Sequence, residues 1–369
     1  MSERPLSAVI LAAGEGTRMR SSRPKPLHLL CGRPMVLHIL DAVAQLRPAR
    51  AVVVVGHGAE RVTKTLSEAA PVGLALEFVD QHVQRGTGDA VSAALTAFDD
   101  DADDADLLVL PGDTPLLRAA TLAALVEAHR RSEAAATVLT AVVANPTGYG
   151  RVVRGKDGRV ARIVEHRDAT ADERVIDEIN TSIFCFRQSV LAPALRRLSP
   201  ENAAGEYYLT DVVSVLHDAG YNVVSLVAAD PMETAGVNDR AQLAAAEAEL
   251  RDRINDRLML LGVNMVDPDT TYVDASVEVA ADVTVFPGTV LQGRTVIARG
   301  AVVGPSSHLA DTRVGEGANV RQTVAHSAEI GVNAQVGPFA VLEPGHRVAD
   351  GAVTGPFFRG TGDDDEDGT

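Results

Sequence analysis

Arg18 and Lys25 are the first residues whose type and spacing suggest chemistry. They follow the apolar run Ala8 to Ala12, within Leu11-Ala12-Ala13-Gly14-Glu15-Gly16-Thr17-Arg18-Met19 and Pro24-Lys25-Pro26-Leu27. Glycines directly after a strand let backbone N–H groups close around phosphate oxygens, and two fixed cations add charge. The segment therefore predicts a triphosphate-binding loop. It is not a Walker loop, because no Gly-Lys-Ser/Thr closes it. Nor is it a dinucleotide fingerprint, because its G-x-G continues into Thr-Arg.

Asp113 is the next candidate. It ends the run Leu107-Leu108-Val109-Leu110-Pro111-Gly112-Asp113, which places a carboxylate at the carboxyl edge of a strand, where open α/β sheets bind ligands. Asp113 is the best metal-ligand candidate, with helix capping as the competing role. Mg²⁺ on a phosphate substrate is usually held by one or two protein oxygens plus phosphates and water. Asn238, in Gly236-Val237-Asn238-Asp239, is the second oxygen; spacing alone leaves it either a ligand or a helix cap.

The elements that must position these residues form two patterns. Up to about Ala229, β-branched runs alternate with helical stretches, which builds a parallel or mixed sheet covered by helices. Strands are read at 8–12, 51–55, 74–79, 107–110, 137–143, 179–186 and 223–227, and helices at 35–46 and 121–131. A longer helix over 240–262, rich in Ala, Glu, Arg and Leu, is read as a linker.

Beyond Gly262 the period changes. Val273, Val279, Val285, Leu291, Ile297, Val303 and Leu309 lie six residues apart, and Ile330, Val336, Leu342 and Val348 form a second register. This hexad repeat is the signature of a β-helix, here expected over 263–358 in its left-handed form. The slip around Val314 and Val320 predicts an irregular side or a small loop. The acidic stretch 359–369 is expected to be disordered.

Bulk composition sets outer limits. A chain of 369 residues exceeds the roughly 250–300 at which single cores stop growing, so two domains are expected. A formal charge of −16 excludes a basic nucleic-acid surface. Two distant cysteines suggest neither a disulfide framework nor a zinc site. No secretory leader and no membrane span of about 18 apolar residues is evident, so a cytoplasmic protein is expected.

Further blocks add a resemblance. Gly86-Thr87-Gly88, Gly112-Asp113-x-Pro115-Leu116, Gly148-Tyr149-Gly150-Arg151, Ile163-Val164-Glu165-His166, Ile179-Asn180-Thr181, Gly205-Glu206-Tyr207-Tyr208-Leu209-Thr210-Asp211 and Gly236-Val237-Asn238 occur in order with the first loop. Together they resemble the bacterial N-acetylglucosamine-1-phosphate uridyltransferase family over nearly the whole chain. The resemblance implies an α/β, Rossmann-like nucleotidyltransferase domain with a GT-A-like mixed sheet at 1–239, followed by the short left-handed parallel β-helix. It implies UTP and N-acetylglucosamine 1-phosphate as substrates, Mg²⁺ as cofactor, and a homotrimer formed through the β-helix. Leu11, Ala13, Gly14, Gly16, Lys25, Gln81, Gly86 and Thr87 would hold the nucleotide, with Gln81 reading the uracil edge through paired hydrogen bonds. Gly150, Glu165, Asn180 and Thr210 would line the sugar pocket beside Asp113 and Asn238, which would hold the metal. Arg18 and Lys25 would carry the catalysis by contacting the phosphates.

The chain also departs from the family. Its Glu343-Pro344-Gly345 stands where the family has Arg-Pro-Gly in its acetyltransferase half, and later blocks of that half have no counterpart, so no acetyl transfer is expected. Asp89 replaces a usual His and Pro26 a usual Val. An alternative substrate is another sugar or cyclitol 1-phosphate. A non-catalytic scaffold would have been free to lose Arg18, Lys25, Asp113 and Asn238, and all four are present.

Overall fold

The computed structural model describes residues 4–98 and 104–362. These form two compact units: one holds residues up to His28 and Pro34–Leu243, the other Leu29–Arg33 and residues from Ala244 onward.

The first unit is a mixed sheet. Its main path runs Val223–Val227, Ala136–Val142, Glu178–Arg187, Asp106–Pro111, Leu6–Leu11, Arg50–Val55 and Leu76–Asp80. The four strands from Asp106–Pro111 to Leu76–Asp80 are mutually parallel, whereas Glu178–Arg187 runs antiparallel to both of its neighbours. A hairpin of Arg151–Arg154 and Val160–Val164 joins at Glu178–Arg187. Alternate residues of the central strands enter two different cores. Ile10, Val53 and Leu108 pack on one face with Leu40, Leu66 and Leu125 of the helices Met35–Ala44, Ala59–Ala69 and Ala119–Arg131. Val9, Val52 and Val109 pack on the other with Val91, Leu191 and Val212 of Thr87–Leu95, Gln188–Leu195 and Asp211–Asp218. Burial on both faces is why these strands read as continuous apolar runs.

One buried charge sits at the start of a central strand. Asp106 is fully buried; its Oδ1 accepts from Arg4 Nε and its Oδ2 from Arg130 Nε, each at 2.7 Å, and His129 Nε2 stands 3.5 Å from Oδ1. Burial alone would raise this carboxyl, but His129, Arg130 and Arg4 outweigh it and hold it well below the ordinary carboxylate range.

The second unit is a left-handed parallel β-helix whose short strands stack into three parallel ladders. One buried column is Met265, Val285, Val303, Val320 and Val336; another is Val273, Leu291, Leu309, Ala325 and Leu342; the third begins with the partly buried Val279 and continues through Ile297, Val314, Ile330 and Val348. Buried Thr289, Thr295, Thr312 and Thr323 precede the columns and donate hydroxyls to nearby backbone carbonyls at 2.7–2.8 Å, which satisfies the corners.

One pair of sequence alternatives is decided and one expectation is corrected here. The register slip is an irregular, shortened coil and not a loop: Leu291 pairs with Leu309 eighteen residues on, but Leu309 pairs with Ala325 only sixteen on. Ala325 fills the column at that point, and its small side chain hid it from the apolar pattern. The β-helix also continues past Phe358, since Arg359–Gly360 pair in parallel with Val341–Leu342. A Cβ on Gly360 would lie 2.3 Å from His346 Cδ2, so a larger residue there would displace that ring. Residues 363–369 of the expected disordered tail lie outside the described residues.

Candidate active site

The first unit holds a cleft of about 580 Å³ that includes Leu11 and Pro111, the last residues of two adjacent parallel strands. Leu11, Ala13, Gly14, Arg18, Lys25, Gln81, Gly86, Thr87, Asp113, Glu165, Asn180, Thr210 and Asn238 all line it. Gly16 and Gly150 stand behind this lining. Gly16 adopts φ +64 against Lys25, where a Cβ would lie 2.6 Å from Lys25 Cβ. A Cβ on Gly150 would lie 3.2 Å from Ile163 Cγ2 and 3.4 Å from both Glu165 carboxylate oxygens, so Gly150 borders the Glu165 side chain.

At one end a cationic pair meets two side-chain oxygens. Lys25 Nζ donates to Asp113 Oδ2 at 2.5 Å and to Asn238 Oδ1 at 2.9 Å, and Arg18 Nη2 donates to the same Asn238 oxygen at 2.9 Å. Gly112 makes the turn into Asp113 possible, since a Cβ there would meet the Leu11 carbonyl oxygen at 2.8 Å. The Asp113 carbonyl accepts from Val237 N at 2.8 Å, which binds the segments of Asp113 and Asn238 together. The capping alternatives are resolved by geometry. Asp239, not Asn238, accepts from Gln242 N at 2.8 Å at the start of helix Arg240–Leu260, and Ala119–Arg131 has no side-chain cap. Two hard oxygens already converging on one ammonium form a donor set that suits Mg²⁺. Among the described residues no group of three or more His, Cys, Asp or Glu could hold a metal, so phosphates and water would complete the shell.

The middle of the cleft is built from loops. Gln81 follows strand Leu76–Asp80, and its backbone N–H donates to the Val55 carbonyl at 2.8 Å. Its amide nitrogen donates to the Gly86 carbonyl at 3.2 Å and to Asp89 Oδ2 at 2.8 Å. The paired contact expected of Gln81 is therefore not open to it in this state, because its donor half is engaged. Gly86, at φ +109, passes close to Tyr207: a Cβ would lie 2.6 Å from the Tyr207 carbonyl oxygen. Tyr207 N donates to Arg85 O at 2.7 Å, Gly88 N donates to Tyr207 O at 2.8 Å, and Leu209 N donates to Thr87 Oγ1 at 3.0 Å.

At the far end Glu165 Oε1 accepts from Thr210 Oγ1 at 3.2 Å. Burial pushes the Glu165 carboxyl up, the Thr210 hydroxyl opposes this, and Asp211, Asp168 and Glu206 add to the rise. Asn180 is buried on strand Glu178–Arg187, where the register shifts between Asn180 and Ile183 and Ser182 adopts φ +61. This bulge re-aims the strand beside the cleft. Asn180 Oδ1 accepts from Ser182 N at 3.1 Å.

Sequence reasoning missed Gln84, Ser182 and Tyr208 as lining residues. Gln84 Nε2 donates to the Ala13 carbonyl at 2.7 Å and braces the first loop. A polar side chain in a loop gives no advance signal of such a long-range contact. Ser182 could have been suspected only from the polar run Asn180-Thr181-Ser182 inside an apolar strand.

Comparison with known proteins agrees with this geometry. The nucleotidyl transferase family matches residues 7–232. The chain is 48% identical to the bifunctional protein GlmU of Streptomyces avermitilis and 49% identical to that of Streptomyces coelicolor, each over 96% of this chain and 73% of the relative. It is 45% identical to the bifunctional protein GlmU of Brevibacillus brevis, over 95% of this chain and 75% of the relative. The chain belongs to the nucleotidyl transferase family and, within it, to the GlmU proteins. It is a sugar-1-phosphate nucleotidyltransferase of the UDP-N-acetylglucosamine diphosphorylase type. Among the described residues no helix is long and apolar enough to cross a membrane.

Proposed function

We propose that this enzyme transfers a uridylyl group from UTP to N-acetylglucosamine 1-phosphate and releases pyrophosphate. The observation that carries the reading is that one cleft is lined both by Arg18, Lys25, Asp113 and Asn238 and by Glu165, Asn180 and Thr210. The first set suits a triphosphate with its cation, and the second suits the hydroxyl and amide groups of a sugar.

A phosphate oxygen of the sugar 1-phosphate attacks the α-phosphorus. A new P–O bond forms as the bond to the β-phosphate breaks, and the electron pair leaves with pyrophosphate. The nucleophile is already an anion at neutral pH, so the site needs alignment and charge neutralisation more than acid–base work. Arg18 and Lys25 supply fixed cations beside the reacting phosphates, and the loop Ala13–Gly14 offers backbone N–H groups. Asp113 and Asn238 would hold Mg²⁺, which when bound neutralises phosphate charge. Glu165, Asn180 and Thr210 position the sugar.

The proposal includes no acetyl transfer. Glu343 places a carboxylate where the resemblance expects a phosphate-binding Arg, and that carboxylate accepts from Arg359 Nη2 at 2.6 Å. Assembly as a homotrimer through the β-helix is part of the proposal, supported by the exposed, stacked Phe339 and Phe357 rings, 5.2 Å apart on the coil surface. Two buried free cysteines fit a cytoplasmic setting.

The test is pyrophosphate release with Mg²⁺ across four nucleoside triphosphates and a panel of sugar 1-phosphates, including glucosamine, N-acetylglucosamine, glucose and N-acetylgalactosamine. Selective use of UTP with N-acetylglucosamine 1-phosphate supports the proposal. Selective use of another sugar or a cyclitol phosphate replaces its substrate, and coenzyme-A-dependent acetylation of glucosamine 1-phosphate removes its monofunctional part.

A further inference from the structure

The environment of Gln81 fixes which of its two polar atoms is free. Its amide group faces two oxygens, the Gly86 carbonyl at 3.2 Å and Asp89 Oδ2 at 2.8 Å. Carbonyl and carboxylate oxygens accept hydrogen bonds, so the amide must sit with its nitrogen toward them. Both of its N–H hydrogens are then engaged. Oε1, an acceptor only, is the atom left for a ligand. Gln81 is 7% exposed and lines the cleft together with Gly86 and Thr87. Asp89 itself is not in the lining; it lies in the first turn of helix Thr87–Leu95, where a negative charge is favoured by the helix dipole.

We infer that Asp89 is a positioning residue that sets base choice by locking Gln81 Oε1 as an acceptor. An acceptor in that place pairs with a ring N–H. Uracil, thymine and guanine carry one on the edge used in pairing. Cytosine and adenine present a ring nitrogen lone pair there, which would face the Gln81 oxygen without a hydrogen between them. The inference rests on the nucleotide end of the proposed function and adds the residue that enforces it.

The test uses the full chain with Mg²⁺ and N-acetylglucosamine 1-phosphate, and measures kcat/KM for UTP, dTTP, GTP, CTP and ATP. Calorimetric binding of the same nucleotides gives the comparison without turnover. The protein is expected to favour UTP over CTP by at least about 100-fold, as a site built around one hydrogen bond does against a ligand lacking it. Asp89→Asn keeps the shape but can present an N–H₂, which removes the shorter of the two contacts that hold the Gln81 nitrogen and leaves only the Gly86 carbonyl at 3.2 Å against a turn of the amide. The UTP:CTP ratio should fall about tenfold or more. Asp89→Ser, which withdraws the carboxylate altogether, is the second variant, and melting curves establish that each is folded. A merely structural defect lowers both values together and leaves the ratio in place. An unchanged ratio in the folded variants overturns the inference, as does a native preference for CTP or ATP. A native preference for GTP or dTTP supports the role of Asp89 while removing the uridylyl reading.

Discussion

The ammonium of Lys25 lies 2.5 Å from Asp113 Oδ2 and 2.9 Å from Asn238 Oδ1, so the proposed cation ligands are bridged by a residue proposed to neutralise phosphate. The Lys25 charge is thus balanced by the Asp113 carboxylate before any substrate enters. On the proposed reading, triphosphate binding would draw Lys25 from these oxygens to phosphate and leave Asp113 and Asn238 to hold Mg²⁺.

Lys25→Met should lower kcat/KM by about 100- to 1,000-fold, the usual effect of removing one well-placed charge-stabilising donor. Asp113→Ala should lower it at least as far and also abolish the Mg²⁺ dependence of nucleotide binding, whereas Lys25→Met retains that dependence. Titration of each variant with Mg²⁺ and UTP, followed calorimetrically, separates the two roles. Equal loss of Mg²⁺ dependence in both would sink the division of labour.

Glu165 gives a pH signature. Its carboxyl is raised above the ordinary 4.5, chiefly by burial, so the folded state holds this proton more tightly than the unfolded chain does. Its contribution to stability is full below 4.5 and declines as pH rises through the raised value. Glu165→Gln should therefore gain stability relative to the native chain as pH rises above the ordinary 4.5. Urea unfolding at several pH values measures the gap, and a flat gap would contradict the assignment. The same variant should weaken sugar 1-phosphate binding more than UTP binding.

Asp106 has the opposite sign. Its carboxyl is held below the ordinary 3.8, and the stability this confers is present above 3.8 and lost as pH falls through the depressed value. Asp106→Asn should cost about 3 kcal/mol or more at neutral pH, because Arg4 and Arg130 lose a buried partner. That difference should narrow below about pH 3. Denaturation curves at neutral and acid pH check both parts.

Gly86→Ala should disturb folding and nucleotide binding together. Its φ of +109 disfavours any Cβ, and the new atom would lie 2.6 Å from a backbone oxygen. A destabilisation of about 1–3 kcal/mol is expected, with a rise in KM for UTP. Unaltered melting would show that the Tyr207 segment yields easily.

Within the β-helix, Leu309→Ala should cost about 2–5 kcal/mol by opening a cavity. Ala325→Leu should cost about 1–3 kcal/mol by overfilling the shortened coil. Both residues are fully buried, and chemical denaturation reads the difference.

What could be read from the sequence follows physical range. Strands buried on both faces declare themselves by composition, so the runs 51–55, 107–110 and 179–186 lie within one residue of their observed ends; the partly buried edge strand 223–227 is also found at its observed ends, from its Val-rich run. Hexads declare themselves as long as each column residue is large; the pattern fades at Ala325, where packing needs a small one. Helices Thr87–Leu95 and Asp211–Asp218 went unread because each is short and begins inside a binding motif. Within the cleft, Asp113 and Asn238 could be suspected from local context. The Gln84 contact to Ala13 could not, since it joins residues 71 positions apart and leaves no periodic trace.

The crossing of Tyr207 with Arg85 and Gly88 bears on any attempt to redesign specificity. Two backbone hydrogen bonds tie the loop proposed to face the base to the segment that supplies Thr210 to the sugar end. Rebuilding 205–210 to admit a bulkier sugar will therefore shift the base-facing loop as well. The natural unit of transplantation between relatives is the pair 81–89 and 205–211, moved together, and chimaeras that exchange one without the other should lose selectivity at both ends.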